Sequence, residues 1–91
     1  MKYMISFSLT ASTFKERVRR FLATGGGPPN GVTMHGRWHS IDGAKGYVLA
    51  STDDPKLMLK WVGEWADLIE FETLPVLEDE DAAAVMKTFQ I

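Results

Sequence analysis

Apolar and polar positions change period several times along this chain. From Lys2 to Leu9 they alternate, with Tyr3, Ile5, Phe7 and Leu9 on one side and Lys2, Met4, Ser6 and Ser8 on the other, which predicts a strand with one buried face. Phe14, Val18, Phe21 and Leu22 then recur at helical spacing, so a first helix is expected to run to about Ala23, opened by a Thr13/Glu16 capping box. The stretch Gly25 to Gly31, with Pro28 and Pro29, supports neither helix nor ladder and is a connecting loop. Alternation returns from Val32 to Ser40, setting Val32, Met34 and Trp38 against Thr33, His35, Arg37 and His39. Asp42-Gly43 marks a hairpin turn, and Tyr47 to Ser51 is the returning strand.

Asp54 and Pro55 read as the cap and first-turn proline of a second helix. Its stripe of Leu57, Trp61, Trp65 and Leu68 is widened by Met58, Leu59, Val62 and Ala66, which predicts burial on two sides; Gly63 within it predicts a close helix contact. Ile69 to Val76 is the last strand. Glu78 to Asp81 then lie at the positive end of a short helix through Ala82 and Met86.

Strand, helix, strand, strand, helix, strand is a ferredoxin-like βαββαβ order, an α+β fold expected to fill residues 1–91 as one domain. Right-handed crossovers place both helices on one face of an antiparallel sheet with strand order 4-1-3-2. The other face would carry Met4, Ser6, Ser8, His35, Arg37, His39, Glu70 and Glu72, and a second copy of the chain is its simplest cover. A homodimer enclosing a polar-rimmed cavity between the two sheets is therefore expected.

Composition narrows the function classes. Ninety-one residues, 45% hydrophobic and 24% charged, form an ordinary globular chain that buries about 60 to 65% of its unfolded surface without metals or disulfides. A net charge of -2 lacks the basic excess of a nucleic-acid-binding face. The absence of cysteine removes disulfides, thiolate nucleophiles and cysteine-ligated metals, and fits a reducing cytoplasm. The first nine residues alternate instead of forming the apolar core of a signal peptide, and no run approaches the roughly 18 to 20 apolar residues of a membrane span.

Six residues are candidates for ligand binding: His35, Arg37, Trp38, His39, Glu70 and Glu72. His35 and His39 would chelate a metal if helical, but on a strand they stand about 13 Å apart, so no metal or cofactor is expected. As polar lining, either could act as a general base near neutral pH. Arg37 suits bidentate capture of a carboxylate or phosphate, or an ion pair with Glu72 across a dimer. Glu70 and Glu72 project from one face roughly 7 Å apart, a separation shared by acid/base pairs and unrelated surface charges. Trp38 offers stacking surface at the cavity, whereas the spacing of Trp61 and Trp65 fits a core stripe. The glycine run lacks the ending of a P-loop, and the acidic run Glu78 to Asp81 lacks calcium-loop spacing.

The segments Gly36-Arg37-Trp38-His39, Thr52-Asp53-Asp54, Trp61 to Leu68, and Phe71-Glu72 with Pro75-Val76-Leu77 resemble a family of short bacterial proteins known as domain of unknown function 3303, nearly end to end. That resemblance implies no activity. The architecture is also similar to dimeric α+β barrels, a group of small monooxygenases, isomerases, haem enzymes and small-molecule sensors, none of whose diagnostic residue patterns is matched here. Two functions follow as expectations: a homodimer binding a small anionic or aromatic molecule, with or without turnover, or a non-catalytic dimerisation or interaction module.

Overall fold

The computed structural model describes residues 1–91 and contains β1 (Lys2–Ser8), a single 3-10 turn (Ala11–Thr13), α1 (Phe14–Thr24), β2 (Val32–His39), β3 (Lys45–Thr52), α2 (Lys56–Gly63), β4 (Glu70–Val76) and α3 (Asp79–Met86). The strands form one antiparallel sheet in the order β2-β3-β1-β4, the expected ferredoxin-like arrangement.

The registers sort the sheet into two faces. Rows that cross the helix-covered face from β2 to β4 are His39, Gly46, Phe7 and Phe71; then Arg37, Val48, Ile5 and Thr73; then Met34, Ala50, Tyr3 and Pro75. Tyr3, Ile5, Phe7, Val32, Val48, Ala50, Met58 and Trp61 are the buried cluster, so the core alternation of the first strand is as expected. The open face carries the rows Trp38, Tyr47, Ser6 and Glu72, and Gly36, Leu49, Met4 and Leu74.

One irregularity rearranges the second strand. The β2–β3 register slips between Met34 and Gly36, so β2 holds one residue more than its partner there. A bulge of this kind reverses the side on which every later residue projects. His35 stays on the open face, where its Nε2 lies 2.8 Å from Ser51 Oγ. Arg37 and His39 cross to the helix-covered face, and Trp38 crosses to the open one. The uninterrupted alternation expected for Val32 to Ser40 is thus corrected: His35, Arg37 and His39 do not share a face, and Trp38 is not core.

Local chemistry explains the boundaries. Gly25 takes φ 74 as the left-handed cap of α1, and its N–H donates to the Phe21 carbonyl at 2.7 Å. Thr13 does not form the expected capping box; its hydroxyl lies 3.0 Å from the Leu68 carbonyl, tying the start of α1 to the segment after α2. Asp54 Oδ1 accepts the Lys56 N–H at 3.1 Å, the role expected of it. The buried Thr52 hydroxyl contacts the Gly31 carbonyl at 2.8 Å and accepts the Asp54 N–H at 3.1 Å, pinning the glycine loop and the start of α2 together.

Helix α2 departs from expectation in two ways. It buries Met58 and Trp61 but leaves Leu59 exposed, so one side is buried rather than two. It ends at Gly63, where an added Cβ would meet nothing within 4 Å, so that glycine ends the helix and is not a packing contact. Helix α3 leaves Val85 and Met86 exposed. The radius of gyration, 15.6 Å, exceeds the roughly 12 Å of a compact chain of this length. No helix is long and apolar enough to cross a membrane.

Candidate functional site

Helix α1 is amphipathic, yet none of its residues is buried. The reason lies beneath it. Between α1, α2 and the sheet is a cavity of about 380 Å³, floored by Ile5, Phe7, Val48 and Phe71 and walled by Val18, Phe21, Trp61 and Trp65. Its volume falls within the range of small-molecule sites, and 11 of its 15 lining residues are hydrophobic.

Polar ties hold α1 over this space in place of buried side chains. Arg20 grips Asp67 with both terminal nitrogens, at 2.9 and 2.7 Å, and donates to the Glu64 carbonyl at 3.1 Å. The hydrogen bond from Arg20 holds the Asp67 carboxyl below the usual carboxylate range, and Asp67 raises the arginine in turn. Thr13 anchors the first turn and Arg37 the last. Arg37 Nη1 donates to the Gly26 carbonyl and Nη2 to the Gly25 carbonyl, both at 2.8 Å, and the guanidinium lies 4.9 Å above the Phe21 ring. Cations favour the carbonyl end of a helix, so Arg37 braces α1 and the glycine loop together. Partial burial lowers the arginine's proton affinity. Gly26, at φ 58, is buried between Arg37, Phe21 and Trp65; a Cβ there would come within 3.2 Å of the guanidinium.

His39 stands beside them. Its ring meets Phe7 edge-on at 6.1 Å and Phe21 at 5.8 Å, and it lines the cavity. Gly46, between His39 and Phe7 in their row, leaves room for the Phe7 ring to lie across it, where any Cβ would collide.

Of the six expected site residues, the fold brings Arg37 and His39 to this cavity. The other four lie on the opposite face. Trp38 is 55% exposed, its ring folded back over Gly36. His35 holds Ser51, and Glu70 and Glu72 are exposed on β4. The expected Arg37–Glu72 bridge between facing sheets is corrected by the same bulge: Arg37 points to the helices and its donors meet loop carbonyls. The cavity described here lies within one chain, between sheet and helices.

Sequence reasoning did not single out Arg17, Val18, Phe21 or Gly26. A signal was present for Arg17. Arg19 and Arg20 each have Glu16 one turn back, whereas the neighbours of Arg17 three and four positions away are Phe14, Arg20, Thr13 and Phe21, none acidic. Its guanidinium lies over Phe14 at 5.3 Å and donates to the Thr10 carbonyl at 3.1 Å, and it lines the cavity.

One of two similar solved structures supports the fold. Rv0793 from Mycobacterium tuberculosis superposes with a TM-score of 0.51 at 13% identity, covering 86% of this chain and 96% of that one. A protein from Deinococcus radiodurans, described as a candidate antibiotic biosynthesis monooxygenase, gives 0.46 at 9% identity over 86% and 94%. At these identities the likeness concerns architecture alone. No curated protein matches the sequence. Residues 1–90 match the family model described as Domain of unknown function (DUF3303), and the chain belongs to that family.

Proposed function

We propose that this protein is a homodimer, each subunit of which binds a small, predominantly apolar molecule, aromatic by preference, between its sheet and α1. The observation that carries the reading is the cavity itself: a helix with an apolar stripe is held by polar ties above about 380 Å³ of unfilled, aromatic-walled space. Filling that space would cover exposed Val18 and complete the partial burial of Phe21. His39 is the imidazole that a bound molecule would meet, so it, and not His35, is the residue suited to exchange a proton with the ligand.

A fluorescent neutral probe, N-phenyl-1-naphthylamine, tests the site. It is expected to brighten with the wild type and to lose at least tenfold in affinity in Val18→Trp, which fills the cavity. Absence of binding to the wild type, or equal binding to the filled variant, overturns the reading.

The second copy is proposed for the open face. Met4, Trp38, Tyr47 and Leu74 are 40 to 55% exposed there, and Leu77, Val85 and Met86 of the C-terminal segment are also uncovered. Several large apolar side chains exposed on one sheet face mark an interaction site. Light scattering over a dilution series is expected to give twice the chain mass for the wild type and the monomer mass for Trp38→Arg. A monomeric wild type overturns the dimer while leaving the cavity reading in place.

A further inference from the structure

The chain has four arginines, and their partners divide them sharply. Arg19 pairs with Glu16 at 2.8 Å and Arg20 with Asp67 at 2.7 Å. Arg17 and Arg37 have no carboxylate partner, and these are the two that line the cavity. No aspartate or glutamate lines it. The apolar cavity therefore has a positive wall without a negative counterpart. Arg37 is partly compensated by the end of α1, but a helix terminus offers only about half a charge. Its guanidinium has five N–H groups, of which two are engaged by the Gly25 and Gly26 carbonyls. The remainder, stacked on Phe21 beside the cavity, can take a planar anion without releasing the loop.

We propose that the natural ligand is an organic monoanion, a carboxylate on a flat apolar body, whose charged group is held by Arg37 at the edge of Phe21, with Arg17 adding to the favourable field. The ring system lies between Phe7, Trp61 and Trp65, where a second charge would be unsolvated. This rests on the cavity reading above and names its ligand class. Charge-assisted hydrogen bonds to a guanidinium are about twice as strong as neutral ones, and the apolar surroundings sharpen the preference. Cationic ligands of the same shape are excluded by the two uncompensated arginines.

Three ligands with one two-ring body test this: 2-naphthoate, 2-naphthamide and 2-naphthylmethylammonium, titrated by calorimetry near neutral pH at low and moderate salt. Naphthoate is expected to bind roughly tenfold tighter than the amide, with the ammonium compound weakest. The advantage should disappear in Arg37→Gln, persist in part in Arg37→Lys, and fall about twofold in Arg17→Gln. Because Arg37→Gln also removes two braces of the glycine loop, Arg37→Lys and the wild-type ligand series keep the test decisive if that variant does not fold. Equal binding of amide and naphthoate overturns the anion and leaves the cavity reading standing. Binding of none of the three overturns both. Loss of the preference in Arg17→Gln but not in Arg37→Gln overturns the placement at Arg37.

Discussion

Helix α2 buries Met58 and Trp61 in the core cluster on the sheet, whereas α1, on the same side of the same sheet, has no fully buried residue and only half-buries Phe21. Both are amphipathic. The difference lies in what fastens them. Apolar contact holds α2 directly, while α1 is suspended by Thr13 at its start, Arg20 in the middle and Arg37 at its end. Hydrogen bonds at the edge of a helix fix its position without requiring the space beneath it to be filled. A fold can therefore keep a cavity under one helix while the other supplies the stability of the core.

The sharpest way to break this comparison is to truncate one aromatic side chain under each helix. Trp61→Ala should lose about 3 to 5 kcal/mol in chemical denaturation, the usual range for a buried tryptophan. Phe21→Ala, on the half-filled side, should lose about 1 to 2 kcal/mol. Equal losses would mean that α1 is packed as α2 is. The floor can be tested separately. Gly46→Ala places a methyl group against the Phe7 ring and should cost about 1 to 3 kcal/mol, measured by thermal unfolding, because the ring must move into the cavity. An unchanged midpoint would show that the Phe7 ring yields freely.

The smallest expected effect concerns the middle tie. Asp67 has a depressed pKa because of Arg20, so its contribution to stability is present above the ordinary carboxylate pKa and lost as pH falls through the lower, folded value. Asp67→Asn should therefore lower the melting temperature slightly at neutral pH and converge with the wild type in strong acid. Asp67 is exposed and Arg20 only half-buried, so the difference should also shrink with salt. A difference that persists in strong acid would assign the effect to something other than the ion pair.

Much of the fold was legible because burial on one face leaves a period in the sequence. Tyr3, Ile5 and Phe7 declare their strand, and the order of elements then leaves few topologies open. The candidate site was only half legible. Arg37 and His39 were singled out for their chemistry, yet alternation assigned them to the wrong face because nothing in Met34-His35-Gly36 announces a bulge by period alone. Gly36 was the available hint, since glycine within a strand often accompanies a bulge or a close approach, and here Trp38 lies over it. Trp65 was assigned to the core by its spacing and is indeed buried, but the same ring also walls the cavity.

The sequence by itself determined the βαββαβ order, the buried face of β1 and the residues with chemistry to offer, since each depends on local period and side-chain type. Tertiary structure decided which of those residues meet. A single extra residue in β2 turns Arg37 and His39 toward α1 and Trp38 away from it, and a handful of long-range polar ties hold α1 above an unfilled space. Register and suspension depend on contacts between segments far apart in the chain, and no local pattern encodes them.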